Sequence, residues 1–122
     1  MLILNHSVAS PLEICVVDSL QDIQDSLPSA FLILRGDLKI AQFCYQNGID
    51  YASVIQNIKE ALLLVNLGVK FLICEDLEMA KELQNLAENY LFDAKVLLCI
   101  KEEEEMLEIA KLGIDGVIFW KN

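Results

Sequence analysis

The chain has 122 residues, 55% of them apolar and 23% charged, which suits one domain, 1–122, with a largely aliphatic core. Its 9 basic and 19 acidic residues leave a net charge of −10, which argues against a surface that displaces counterions from nucleic acid and against one drawn to anionic lipid. No apolar run approaches the roughly 18 residues of a membrane span, and the start MLILNH has neither the basic flank nor the apolar length of a signal peptide, so an acidic cytoplasmic protein is expected.

Taken in order, Leu2–Leu4 permits a short extra strand and Ser7–Pro11 reads as loop. Ile14–Val17 is the first clear strand. Ser19 with Asp22 three residues later is a capping-box arrangement, opening a short helix that Pro28 closes. Phe31–Leu34 is a wholly apolar strand, and Asp37 is the expected N-cap of the helix after it. Tyr51–Ile55 is the next strand. Asn57 with Glu60 makes a second capping pair, before a helix whose apolar face is Ile58, Ala61, Leu62 and Val65. Phe71–Cys74 is a strand, and Glu75 or Asp76 caps the longest helix, Leu77–Asn89. Val96–Ile100 is a strand. Lys101–Leu112 is a helix that opens on Glu102–Glu105, where the helix dipole favours acids. Val117–Phe119 is the last strand.

Three of these helices end on one phrase: Asn47-Gly48-Ile49, Leu67-Gly68-Val69 and Leu112-Gly113-Ile114. Glycine takes the left-handed conformation just past a helix without a Cβ penalty, and the aliphatic residue after it folds back on the last turn. Leu91-Phe92-Asp93-Ala94 stands in its place after the longest helix. Strands separated by helices run parallel through right-handed crossovers, and strands apolar on both faces are covered on both. The expected fold is therefore α/β: a three-layer αβα domain with an open, mostly parallel sheet of about five or six strands, flavodoxin/Rossmann-like or half-barrel-like. A closed eight-stranded barrel takes roughly 200 residues or more and is not expected.

Ligands of such sheets sit beyond the carboxyl ends of the strands. The ligand-binding candidates at that edge are Asp18, Arg35, Asp37, Glu75, Asp76 and Lys101. The acids suit either a divalent cation or the caps that strand-to-helix turns need. Arg35 and Lys101 suit either an anion clamp or neutralisation of the acids beside them. There is no GxGxxG and no Walker sequence, so no cofactor is expected, and no residue is assigned a catalytic role. His6, the single histidine, has no Cys or Asp grouped with it and reads as a surface residue near a flexible terminus, so no metal site is expected. Cys15, Cys44, Cys74 and Cys99 each lie in an apolar run, at no metal spacing. Cys74 meets a helix N-terminus, a place that activates thiols, and is the thiol candidate. No helix follows the last strand, and Phe119 with Trp120 there suggest an edge for a homo-oligomer.

Within residues 57–119, IKEALLLVNLGVKFLI and EEEEMLEIAKLGIDGVIF resemble the later βα units of (β/α)8 barrels of the keto-acid aldolase kind. That resemblance implies architecture. A class I enzyme of that kind would carry its Schiff-base lysine in the last matched strand, where this chain has Gly116-Val117-Ile118-Phe119. Asp18 and Lys101 are similar to the acid and lysine positions of response-regulator receivers, although the third strand ends in Ile55-Gln56-Asn57, without an acceptor aspartate. Cys74 and the closing strand Asp115–Phe119 look like their counterparts in the DsrE-type sulfur-relay family. The residues together point to a small binding or regulatory module without evident catalytic machinery. The alternatives are a small-molecule or anion-binding protein or small enzyme using the carboxyl edge, and a thiol (sulfur) carrier through Cys74.

Overall fold

The computed structural model describes residues 1–122. Its elements are β1 (Leu2–Leu4), β2 (Ile14–Val17), α1 (Leu20–Asp25), β3 (Phe31–Leu34), α2 (Leu38–Gln46), β4 (Ala52–Val54), α3 (Ile58–Asn66), β5 (Phe71–Cys74), α4 (Leu77–Asn89), β6 (Lys95–Ile100), a 3-10 turn over Glu103–Glu105, α5 (Met106–Lys111) and β7 (Gly116–Phe119). The fold is α/β, with one parallel sheet of seven strands where five or six were expected. The strand beyond that count is β1. It lies against β7, with Leu2 opposite Gly116, and a Cβ on Gly116 would stand 2.6 Å from the Leu2 carbonyl oxygen. Glycine at that position lets β1 approach.

The strand order is β1-β7-β6-β5-β4-β3-β2, and every pairing is parallel. From β2 to β7 each strand lies beside its neighbour in sequence, so the order never reverses. Right-handed crossovers then keep all the connecting helices on one face. The packing agrees: a core of 23 residues joins one face of the strands to Ile40, Ala41, Ala61, Leu64, Leu83 and other helix residues. The opposite face holds a second cluster, Ile33, Ala52, Val54, Ile73, Leu97 and Ile118, with no helix residue in it.

Of the two forms expected, the molecule thus takes the half-barrel-like one. No helical layer covers the second face, so the molecule has two layers where a three-layer αβα domain was expected. Ile33, Ile73, Leu97 and Ile118 are nonetheless completely buried there, because the sheet curls over its own concave side. Leu4 of β1 and Ile14 of β2 belong to opposite edges of the sheet, yet both pack on this cluster. The gap between those edges is spanned by residues 5–13. Asn5, at a φ of 58°, pins that segment. Its Nδ2 donates to the Phe119 carbonyl at 2.8 Å and its Oδ1 accepts from the Leu12 N–H at 3.1 Å.

The curl also settles the position of β7. It is flanked by β6 and β1, so Phe119 closes an interior strand, with Trp120 directly after it, and not the free edge expected from the sequence. The unpaired edges belong to β1 and β2. Trp120 is half-buried against the concave cluster.

One buried polar contact ties a helix to the sheet. Gln84 of α4 donates from Nε2 to Asp115 Oδ1 at 3.1 Å, and its Oε1 accepts from the Asp115 N–H at 2.9 Å. Asp115 Oδ2 accepts from the Val96 N–H at 2.9 Å. The three contacts join α4, β6 and the start of β7, which suits the low polarity of the site, since buried polar groups need partners.

Candidate functional site

Each strand-to-helix turn at the carboxyl end solves the same problem, a set of helix N–H groups without partners. Asp22 accepts from the N–H groups of Asp18 and Ser19, and Ser19 accepts in return from Asp22, closing the expected capping box. Asp37 Oδ1 accepts from Lys39 and Ile40 at 3.0 and 3.1 Å. Asn57 accepts from Glu60, whose own carboxylate accepts from the Gln56 N–H. Asp76 accepts from Glu78 and Met79. Glu105 accepts from Lys101 and Glu102, and the hydrogen bonds from Glu102 and then Lys101 hold its carboxyl below the usual range. Asp37 and Asp76, two of the candidate ligand residues, are therefore occupied as caps. No three His, Cys, Asp or Glu side chains converge on one point.

The other candidates do meet. Arg35 Nε lies 3.3 Å from Asp18 Oδ1. Arg35 Nη1 also donates to Asn122 Oδ1, and Asn122 Nδ2 donates to Glu75 Oε1 at 3.4 Å. A polar relay thus crosses the carboxyl mouth from the end of β2 to the end of β5. Beside it is a cavity of about 270 Å³, lined by Glu75, Cys99, Lys101, Trp120 and Asn122 among others. Lys101 makes no ion pair; only its backbone N–H is engaged, by Glu105. Beneath the mouth the buried Ser53 hydroxyl accepts from the Gly36 N–H at 3.0 Å and lies 2.9 Å from the Val54 carbonyl oxygen, its acceptor.

His6 is not a free surface residue. Its Nδ1 accepts from the N–H groups of Val8 and Ala9 at 3.2 and 3.0 Å, so the proton sits on Nε2, which donates to Glu103. Its ring meets Phe119 edge-on at 5.3 Å. His6 latches the segment between β1 and β2 to the turn after β6.

Burial disfavours the thiolate at Cys74 and Cys99. Cys74 is fully buried on the helix side of the sheet. Burial first, then Cys99 and Asp76, push its thiol up to about 12. Cys99 faces the concave side and is also pushed up to about 12, by burial and then by Glu75. The helix N-terminus that would activate Cys74 is outweighed by desolvation.

A second cavity, of about 410 Å³, lies at the opposite, amino end of β3, β4, β5 and β6, lined by Phe31, Tyr51, Ala52, Phe71, Asp50, Lys70, Asp93 and Lys95. A sequence search confined to the carboxyl edge passes over it, and over Asn122 and Cys99. The missed signal is strand parity: counting in twos from Ile33, Ile73 and Leu97 gives Arg35, Glu75, Cys99 and Lys101 in one direction and Phe31, Phe71 and Lys95 in the other. No protein-family model matches the chain, and comparison with curated proteins finds no match.

Proposed function

We propose that the chain is a small binding or regulatory module, and that its ligand is a small anion or polar molecule received at the carboxyl mouth of the curled sheet. The observation that carries this reading is the relay Asp18–Arg35–Asn122–Glu75 with the unpaired Lys101 ammonium beside it. An anion entering the cavity by Trp120 gains Lys101 directly and exchanges Asn122 for itself on Arg35. Asp22, Asp37, Glu60, Asp76 and Glu105 at this end are engaged by turn and helix N–H groups, and the buried thiols are held protonated, which favours binding over acid–base or thiol chemistry. A cytoplasmic setting is supported by the four unpaired cysteines. No helix is long and apolar enough to cross a membrane.

The test is an amide chemical-shift titration with inorganic phosphate and with small carboxylates. The reading expects saturable shifts at Arg35, Glu75, Lys101 and Trp120, reduced at least tenfold in affinity by Lys101→Gln. Shifts absent from those four residues, or unaltered by Lys101→Gln, would remove it.

A further inference from the structure

We infer that the amino end of the curled sheet is a second ligand site, distinct from the carboxyl mouth, shaped for an apolar α-amino acid or a closely similar zwitterion. The wall of the cavity joins large aromatic residues to a small one. Phe71 on β5 pairs in register with Ala52 of β4, and Phe31 on β3 stands two residues before Ile33, which pairs with the same alanine. The two rings are in contact, their centroids 5.6 Å apart at 40°, and form one aromatic surface on the cavity wall beside the small Ala52. Lys95 pairs in register with Phe71 and is two residues before Leu97, on the same concave side. The floor is thus apolar and the rim is charged.

The rim carries two acids and two lysines, Asp50, Asp93, Lys70 and Lys95. Lys70 and Asp50 approach only to 3.9 Å, both largely exposed. Asp93 and Lys95 make no ion pair with each other or with any other residue. A ligand with an apolar body alone would leave these charges unused, and one with a single charge would meet its own sign as well as its partner on the rim. A zwitterion satisfies both: the carboxylate goes to Lys95, the ammonium to Asp93, and the side chain lies against the Phe31–Phe71 ring pair. Mostly apolar pockets with a few polar groups at the mouth are the usual form of small-molecule sites.

The experiment is an amide chemical-shift titration of the whole chain with L-phenylalanine and L-leucine. Glycine, phenylacetate and phenethylamine serve as ligands that each lack one part of the recognition. The expected result is saturable shifts at residues 30–32, 50–52, 70–71 and 93–95, with each incomplete ligand at least tenfold weaker. Lys95→Met, at an exposed position, should leave the melting temperature close to that of the parent and weaken L-phenylalanine at least tenfold. The inference fails if no saturable shift appears up to about 20 mM ligand. It also fails if phenylacetate or phenethylamine binds as tightly as phenylalanine, or if Lys95→Met binds unchanged. Shifts confined to Arg35, Glu75, Lys101 and Trp120 would assign the amino acid to the carboxyl mouth and overturn this inference while sustaining the proposed function.

Discussion

Gln84 donates to one carboxylate oxygen of Asp115 at 3.1 Å in a site where only 6% of the glutamine surface remains exposed. Gln84→Glu keeps the shape and inverts the chemistry. At neutral pH an ionised carboxyl there would stand against the Asp115 carboxylate without water between them, so the new carboxyl must hold its proton. Protonated, it restores the donor to Asp115 Oδ1 and keeps an acceptor for the Asp115 N–H. The folded-state pKa of the new group is therefore raised, by the like charge and by burial. A raised acid contributes its full share of stability below the unfolded pKa of about 4.3 and loses it as pH climbs from there through the folded value. Holding the proton at pH 7 costs at most about 1.36 × 2.7, or roughly 3.7 kcal/mol. The variant should thus lie within about 1 kcal/mol of the parent at pH 4.5 and about 2–4 kcal/mol below it at pH 7. Urea unfolding of both proteins at the two pH values measures the difference, and the protein's other titrations cancel in the comparison. Gln84→Met, which has no proton to hold, should lose a similar amount at both. If the loss from Gln84→Glu is the same at pH 4.5 and pH 7, the amide does not donate to Asp115 and the tie between α4 and β7 is misassigned.

Leu91 occupies the place that glycine fills after α2, α3 and α5, at a φ of 53° and 83% exposed. Leu91→Gly should raise stability by about 0.5–1 kcal/mol, because relief of roughly 1–2 kcal/mol of left-handed strain exceeds the added freedom of the unfolded chain; a lowered melting temperature would count against that account. Alkylation at pH 8 should label Cys15, which is half-exposed, well before Cys74, with all four thiols reacting alike in denaturant. Labelling of native Cys74 at the denatured rate would favour the sulfur-carrier reading instead.

The local grammar was readable in the residues. Capping needs particular side chains at fixed offsets, so Ser19–Asp22, Asp37, Asn57–Glu60 and Asp76 announce their helices, and Gly48, Gly68 and Gly113 announce the exits. The same residues explain why two of the six ligand candidates, Asp37 and Asp76, read equally well as caps. A capping aspartate and a ligand-binding aspartate occupy the same place after a strand, and only the hydrogen bonds of Asp37 and Asp76 distinguish them. Arg35 and Glu75 are different: their partner Asn122 is 87 and 47 residues away in sequence, and no local pattern reports such a contact.

What the sequence determined by itself is the α/β class, the parallel direction of its strands and nearly every element, because each depends on neighbours within a few residues. Only the tertiary structure decided that the helices share one face, that β1 closes beside β7, and that the second face is buried by curvature. An apolar strand face has the same composition whether a helix or the far edge of its own sheet covers it, so the choice between those covers is made by strand order, which no single segment encodes.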